Sequence, residues 1–326
     1  MRIAVLIVNW NSRPLLERCL ASLDRQVRTP DRTIVIDNGS DAGSLDEFEA
    51  RYPAVELIRL DHNAGFAHAS NVGVGAAADC DWVALLNPDA FAEPGWLAAL
   101  ERTALGRPEC ACFASQMKMV EQPDRLDGAG DAYHVSGLAW RRRHGQRVST
   151  NEREAHEVFS ACAAAALYRR EVFLEMGGFD SSYFCYAEDV DLGFRLRLAG
   201  HRTVYVPDAS VLHVGSALSG SHSDFSVYHG HRNLVWTYVK NMPALMFWLY
   251  LPQHLALNLI SLAWFSFRGQ WRVICKAKWD TLKGLPRVWR ERQQVQARRQ
   301  VELRALRSAM TRGVLTPYRE HLERDA

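Results

Sequence analysis

The stretch Trp82-Val83-Ala84-Leu85-Leu86-Asn87-Pro88-Asp89 runs a buried strand directly into a carboxylate. Its first five residues are apolar and lie between Asp81 and Pro88, which is typical of a strand covered on both faces. Because ligands bind outside the carboxyl ends of strands in open α/β sheets, the sequence predicts that Asp89 lies at a ligand or metal site. Asn-Pro-Asp is also ordinary turn chemistry, and this stretch alone leaves that alternative open.

Strands alternate with helices through the first part of the chain. Residues 3–9 (IAVLIVN) form a buried strand, and a helix with Pro14 in its first turn follows it. A strand at 33–36, a helix that ends near Tyr52 and a strand at 55–60 continue the pattern. This alternation predicts an α/β fold with a doubly wound, mostly parallel sheet.

The middle of the chain is less regular. Its sequence predicts a helix at 94–105, a strand at 111–120 and a helix at 170–176 that stops at a Gly-Gly pair. The polar residues 121–157 are predicted to form a long loop near an active site, and a solvated surface stretch is the alternative.

Polar side chains follow the ends of the first three strands, and amide and carboxylate groups there suit a base and a ribose. A dinucleotide site would need G-x-G-x-x-G at the first βα turn, which here reads NWNSRP, so an NAD-type enzyme is disfavoured. Ordinary turns and helix caps are the alternative for each residue. The candidates are Asn9, Asn11, Asp37, Asn38, Asn63 and Gly65.

Three carboxylates, Glu188, Asp189 and Asp191, begin a helix that is predicted to end at Gly200. Carboxylates interact favourably with the dipole at a helix N-terminus, which is reason enough for their presence. The functional interpretation is that Glu188 or Asp189 is a general base that points into a pocket.

His213 follows a short apolar run and gives Asp89 a possible partner. One Asp and one His leave coordination positions for phosphate oxygens and water on Mg²⁺ or Mn²⁺, although a lone histidine is more often structural. A later polar and partly basic stretch is predicted to close over a diphosphate. It contains His222, His229, His231, Arg232 and Asn233.

Composition restricts the class of protein. The 326 residues are 48% hydrophobic, as in a globular protein with a sizeable core. The seven cysteines are odd in number and form no CxxC pair, which favours reduced thiols and a cytoplasmic location. Met1 leads into a short apolar strand, so no signal peptide is expected, and no nucleic-acid partner is expected either.

The C-terminal part is apolar and then basic. Residues 241–267 are long enough to span a bilayer, but Pro243 and Pro252 should interrupt a helix, and a polar stripe of His254, Asn258 and Ser261 makes it one-sided. Residues 268–326 carry a net charge of +9, which leaves −7 on the rest of the chain. The pattern predicts peripheral binding to the anionic inner face of the cell membrane. Packing on the protein's own core or in a homodimer is the alternative.

Seven pieces of this sequence together resemble family 2 glycosyltransferases of the GT-A fold, in the branch that includes bacterial rhamnosyltransferases. In chain order they are IAVLIVNWNS, IVIDNGSD, HNAGFAHASNVG, LLNPDA, GGFDSSYFCYAEDVDLGFRLRLAG, VLHVGSALSG and HRN. They cover residues 1 to about 235, which implies a GT-A domain at 1–235 and a helical extension at 236–326.

The resemblance implies an inverting, metal-dependent transferase that moves a sugar from a nucleotide diphosphate to a hydroxyl. It favours dTDP-L-rhamnose as the donor and a lipid-linked or saccharide acceptor for cell-surface polysaccharide. Asp37 and the asparagines, with Asn71 among them, resemble nucleotide-binding residues, and Asp189 resembles the catalytic base. Asp89 and His213 resemble the metal ligands, with Asn87 where many relatives have the first Asp of DxD. A sugar-phosphate nucleotidyltransferase and a non-catalytic nucleotide-sugar-binding subunit are the alternatives.

Overall fold

The computed structural model describes residues 1–149, 154–215, 223–313 and 316. His222 and the end of the VLHVGSALSG motif lie outside these ranges, as does the last part of the basic tail.

The first half of the sheet is parallel, in the order β4-β1-β2-β3. Apolar residues fill β1 because helices cover both of its faces, and Ile3, Val5 and Ile7 belong to one core cluster while Ala4 and Leu6 belong to the other. The elements are β1 (Ile3–Asn9), α1 (Arg13–Leu23), β2 (Arg32–Asp37), α2 (Phe48–Arg51), β3 (Val55–Arg59), α3 (Phe66–Ala76) and β4 (Trp82–Leu86).

The second half of the sheet is mixed. An antiparallel strand, β11, lies between β4 and β6, and β12 runs parallel to β6. The α/β class and the doubly wound core are confirmed, with the antiparallel strands added beyond β4. The strands are β5 (Ala90–Ala92), β6 (Cys110–Met119), β7 (Leu126–Ala129), β8 (Asp131–Tyr133), β9 (Ala139–Arg141), β10 (His156–Val158), β11 (Ala165–Arg169) and β12 (Arg202–His213).

One prediction about local structure holds only in part, and another is wrong. The helix expected before Tyr52 is the single turn α2, because residues 41–47 form turns and Glu47 has a left-handed φ of 58°. The polar segment 121–157 is not a long loop, since it contributes β7 and β10 to the main sheet and forms the β8–β9 pair. Strands of three or four residues are too short for their periodicity to stand out in the sequence.

The remaining helices are α4 (Trp96–Gly106), α5 (Arg170–Glu175), α6 (Glu188–Leu198), α7 (Asp224–Asn241), α8 (Ala244–Phe265), α9 (Trp271–Ala297) and α10 (Leu303–Ala309). Helices α4 and α5 belong to the two core clusters of the main sheet. A third core cluster joins the helices α6 to α10 to β8, since Tyr133 and Phe194 share it with Trp236, Val288 and Leu306. The predicted boundary at residue 235 therefore falls inside α7, and the division into two domains stays a prediction.

Helix α8 differs from the sequence prediction in two ways. Pro243 precedes the helix and Pro252 lies within it without breaking it, although proline cannot donate the usual backbone hydrogen bond. The polar stripe faces the protein and not water: His254 Nδ1 lies 2.7 Å from the carbonyl oxygen of Ser136, and Lys278 Nζ donates to Asn258 Oδ1. The opposite face of α8 is apolar and exposed.

Candidate active site

Asp89 and His213 lie side by side where their strands end. The pairing of β5 with β12 sets Ala90 opposite His213, and the N–H of Val214 donates to the Asp89 carbonyl over 3.0 Å. Asp89 Oδ1 is 3.4 Å from His213 Nε2, and both side chains are buried. The structure thus brings together the two residues that the sequence singled out as metal ligands.

Asp127, from β7, holds the other side of the His213 ring. Its Oδ2 is 2.7 Å from His213 Nδ1, and Arg141 forms an ion pair with the same oxygen. Burial alone would raise the pKa of the Asp127 carboxyl group, but Arg141, His144 and His213 outweigh it and hold that pKa far below its usual range. Sequence reasoning missed Asp127, because nothing in the spacing of a polar segment distinguishes it from surface acids.

The pair fits a divalent cation. His213 Nε2 is buried, faces Asp89 and has no hydrogen-bond partner among the described residues. A carboxylate on the far ring nitrogen is the usual support for a metal-binding histidine, and Asp127 supplies it. No cluster of three or more His, Cys, Asp or Glu in the described ranges could hold a metal unaided. Two protein ligands leave the other positions to phosphate oxygens and water.

A cavity of about 300 Å³ joins the start of α6 to the end of β4. Its lining includes Asn87, Asp131, Arg141, Glu188 and Asp189. The half-buried Asp189 is fixed at both oxygens, since the N–H of Ala163 donates to Oδ2 over 2.9 Å and the N–H of Val190 donates to Oδ1 over 2.8 Å. The cavity therefore brings Asn87, two residues before Asp89, together with the predicted base.

Burial raises the pKa of three carboxyl groups in this cavity. For Glu188 and Asp131 the nearby Asp189 adds to the effect of burial, and both pKa values lie well above the usual range. The pKa of Asp189 is raised by burial, against the hydrogen bonds from Ala163 and Val190. Asp131 was not predicted from the sequence, because it lies in the segment that was interpreted as a loop.

Asp191, the third carboxylate of the motif, points elsewhere. It pairs with Arg195 and Lys240 at 2.8 and 2.9 Å and accepts from Asn241 Nδ2. Burial opposes its charge, but the two cations outweigh burial and lower its pKa. Asp191 is therefore part of a buried ion-pair network that fixes α6 against α7.

Asn9, Asn11 and Asp37 form one polar cluster at the ends of β1 and β2. Asn9 Nδ2 lies 3.5 Å from Asp37 Oδ1, and Ser40 Oγ also donates to that oxygen. Asn11 Nδ2 donates to Asp41 Oδ2 over 3.2 Å. These contacts set carboxylate and amide groups at the sheet edge expected for a nucleotide.

Asn38 and Asn63 continue the cluster toward α3. Asn38 Nδ2 donates to Asn63 Oδ1 over 2.9 Å, and the N–H of Gly65 donates to the same oxygen over 3.0 Å. Gly65 has a φ of 88°, and a Cβ on it would lie 2.6 Å from the carbonyl oxygen of Phe184. Only glycine fits at this close approach.

Two predicted nucleotide residues lie outside the cluster. The Asn71 amide bonds the backbone N–H and carbonyl of Phe179, over 2.9 and 2.7 Å. Arg232 is buried and donates to the carbonyls of Ser182 and Tyr183. Both side chains are occupied by the segment that leads to α6, and their role toward a nucleotide stays a prediction.

Two solved structures share this fold. GalNAc-T7, solved with UDP, GalNAc and Mn²⁺, matches with a TM-score of 0.61 at 18% identity, over 74% of this chain and 48% of its own. The mannosyltransferase PcManGT from Pyrobaculum calidifontis, in complex with GDP-Man and Mn²⁺, matches with a TM-score of 0.54 at 19% identity, over 91% of this chain and 84% of its own. The fold is that of a glycosyltransferase of the GT-A type.

The sequence assigns the family. The model of the glycosyltransferase like family 2 matches residues 1–244. The N-acetylglucosaminyl-diphospho-decaprenol L-rhamnosyltransferase of Mycobacterium tuberculosis is 32% identical over 269 residues, which are 71% of this chain and 85% of that protein. This chain belongs to the glycosyltransferase like family 2, and it resembles the rhamnosyltransferases in it.

Proposed function

We propose that the protein is an inverting, metal-dependent rhamnosyltransferase that uses dTDP-L-rhamnose and a lipid-linked glycan acceptor. The observation that carries the proposal is the cavity that joins Asp189 to the end of β4, where Asp89 meets His213. A base for the acceptor and ligands for a diphosphate-bound metal are the two parts that such a transfer needs.

Asp89 and His213 would hold a Mg²⁺ or Mn²⁺ ion, which neutralises charge on the departing diphosphate. Asp127 keeps the His213 ring oriented toward Asp89. The polar cluster around Asp37 and Asn38 would take the base and ribose, because it lies at the same edge of the sheet. Asn87 lines the cavity, and its neutral amide brings no negative charge to a cation, unlike the Asp89 carboxylate.

Asp189 is the general base in this proposal. Its oxygens are held by two backbone N–H groups, so the carboxylate is oriented before the acceptor arrives. Burial and the nearby Asp189 raise the pKa values of Glu188 and Asp131, which disfavours the charged form that a nucleophile needs. A single displacement with inversion therefore fits the cavity better than a double displacement.

The donor is tested by thermal shift with a panel of nucleotide sugars in the presence of Mn²⁺. A ligand that binds the folded state raises the melting temperature by mass action. We expect dTDP-L-rhamnose to give the largest rise and EDTA to abolish it. A larger rise with a UDP- or GDP-sugar would show that this nucleotide sugar, and not dTDP-L-rhamnose, is the donor. Consumption of a nucleoside triphosphate with a sugar 1-phosphate would instead indicate a nucleotidyltransferase.

An exposed apolar face on α8, α9 and residues 266–270 between them supports a lipid-linked acceptor. It comprises Leu245, Trp248, Leu249, Leu255, Leu259, Ile260, Trp264, Phe267, Trp271, Trp279, Leu282 and Trp289. Exposed cations, among them Arg268, Arg272, Lys276 and Lys283, accompany it. By length and composition alone, the helical stretch Ala244–Ala297 could also cross a membrane, and only 22% of its most apolar window is buried. Apolar side chains beside cations favour the surface of an anionic bilayer, on the cytoplasmic side.

A homodimer through the same face is the alternative. Sedimentation with vesicles of anionic phospholipid distinguishes the two, because only the membrane proposal predicts that the protein pellets with vesicles and is partly released by high salt. A protein that is a monodisperse dimer without detergent and does not sediment with vesicles would contradict the membrane proposal. The mycobacterial relative is named for a diphospho-decaprenol acceptor, which supports the lipid-linked substrate.

A further inference from the structure

The segment before α6 adopts backbone conformations that its residues disfavour. Phe184, Tyr186 and Ala187 have φ values of 66°, 70° and 63°, although none of them is glycine. Left-handed backbone costs energy for such residues and persists only when its surroundings enforce it. We call residues 184–187 the left-handed loop. Glu188 and Asp189 follow it directly.

Asn233 of α7 enforces this conformation. Its Nδ2 lies 3.0 Å from the carbonyl oxygens of Tyr183 and Cys185 and 2.7 Å from that of Tyr186. The side chain is fully buried, so no water can replace it. Arg232 Nε donates to Asn233 Oδ1 over 2.9 Å, which orients the amide with its nitrogen toward the loop.

The left-handed loop also touches the nucleotide side of the site. The carbonyl of Phe184 accepts from the N–H of Ala67 over 3.2 Å and lies against Gly65. The other end of the loop forms the N-cap of α6, where the N–H of Asp191 donates to the carbonyl of Ala187 over 2.9 Å. One short segment therefore sets the distance between the start of α3 and the start of α6.

We propose that Asn233 is a positioning residue, which holds the left-handed loop so that the Asp189 carboxylate is fixed relative to the donor side. The inference rests on the proposed role of Asp189, and it gives the HRN motif a function away from the diphosphate. Without the amide nitrogen the carbonyls of Cys185 and Tyr186 lose this donor, while that of Tyr183 keeps its bond from Arg232. The loop then relaxes toward ordinary backbone. Asp189 then shifts within the cavity.

The test uses the full chain with Asn233→Ala and with Asn233→Asp, which keeps the shape but removes the nitrogen donor. Asn241→Ala is the matched control, because Asn241 is equally buried on the same helix and bonds Asp191 and not the loop. All three variants should melt at lower temperature than the wild type. Transfer is measured at a temperature where each variant is folded.

We expect the Asn233 variants to lose about 10²-fold in kcat, because small misplacements of a catalytic group are that costly, with donor KM nearly kept. The pH dependence of kcat should also change, since Asp189 enters a new environment. Asn241→Ala should keep kcat and the pH profile. Wild-type kcat and pH profile in Asn233→Ala would overturn the proposal.

Hydrogen exchange gives a second readout that needs no activity. Asn233→Ala should raise the exchange rates of two backbone amides. The Ala163 amide donates to the Asp189 carboxylate, and the Asp191 amide donates to the carbonyl of Ala187 at the end of the loop. Asn241→Ala should leave the Ala163 amide protected. If Asn233→Ala exchanges faster but the wild type transfers no sugar, the proposed function is refuted and the positioning role of Asn233 stands. Unchanged exchange at both amides would overturn the positioning role.

Discussion

At the scale of single residues, the start of α6 shows how burial and partners assign different roles to similar side chains. Asp191 is paired with Arg195 and Lys240, which lower its pKa. Glu188 is buried with no cation paired to it among the described residues, and its pKa is raised. Asp189 differs from both: its two oxygens are held by backbone N–H groups, and burial raises its pKa against these hydrogen bonds.

Asp189→Asn removes basicity while keeping the shape of the side chain. We expect kcat to fall by about 10² or more and the affinity for the donor to change little. One backbone N–H loses its acceptor, so the melting temperature is measured alongside. If Asp189→Asn keeps wild-type turnover and Glu188→Gln is inactive, Glu188 and not Asp189 is the general base.

Glu188→Gln tests how much the buried Glu188 carboxyl group lowers the stability of the folded state as pH rises. A carboxyl group with a higher pKa in the folded chain binds its proton more tightly there, so the folded state loses stability as pH rises from the unfolded to the folded pKa. Each pH unit in that window costs about 1.4 kcal/mol for one group.

Urea unfolding at pH 5 and pH 8 measures this loss. The wild type should lose more free energy of unfolding between these values than Glu188→Gln. The exposed Glu171→Gln is the control and should behave as the wild type. Equal losses in wild type and Glu188→Gln would show that Glu188 titrates normally.

Asp127→Asn tests the support of the metal ligand. The variant weakens the acceptor on His213 Nδ1, and loss of such a partner lowers metal affinity by about 10- to 100-fold. Calorimetric titration with Mn²⁺ and nucleoside diphosphate measures this affinity. The exposed Asp124→Asn, three residues away, is the control. Unchanged affinity in Asp127→Asn, or in Asp89→Ala, would contradict the assigned metal site.

Residues that follow buried strands were predictable from sequence because the strand itself is conspicuous. Asp89 and Asp37 are examples, since apolar runs precede both. Asp127, Asp131 and Arg141 were not predictable, because their strands have three or four residues and bring them to the site only through tertiary pairing. The sequence revealed the strand ends but not the wall of the cavity opposite them.

At the scale of elements, α8 shows that a polar stripe does not have to face water. The sequence identified the stripe of His254, Asn258 and Ser261, and the structure turns it inward onto Ser136 and Lys278. The apolar side is then left outside. Periodicity alone cannot determine this orientation, because it defines two faces and not what covers each.

Trp248→Glu and Trp264→Glu test this apolar face, since the two side chains are 65% and 57% exposed. Each change places a negative charge against anionic lipid, so the fraction of protein that pellets with vesicles should fall several-fold. Hydrolysis of the soluble donor should not change, because neither residue lines the cavity. Leu105→Glu on α4, 65% exposed, is the control and should pellet normally.

At the scale of the whole molecule, the C-terminal helices are part of the folded core. Arg292 donates to the carbonyl of Val239 over 2.6 Å, and Trp236 Nε1 donates to that of Thr281 over 3.1 Å. Cutting the chain near residue 240 would expose this buried surface, so experiments on membrane binding need the full chain. The sequence predicted the α/β class and the helical extension, but not the core that they share.

One measurement tests the central claim most directly. The full-length protein is incubated with dTDP-L-rhamnose, Mn²⁺ and an N-acetylglucosaminyl-diphospho-polyprenol in anionic vesicles, and nuclear magnetic resonance follows the anomeric signals. The account predicts that rhamnosyl lipid of inverted configuration and dTDP appear in equal amounts with the wild type, and at most about a hundredth as fast with Asp189→Asn. A product with retained configuration, or equal rates for the two proteins, would contradict it.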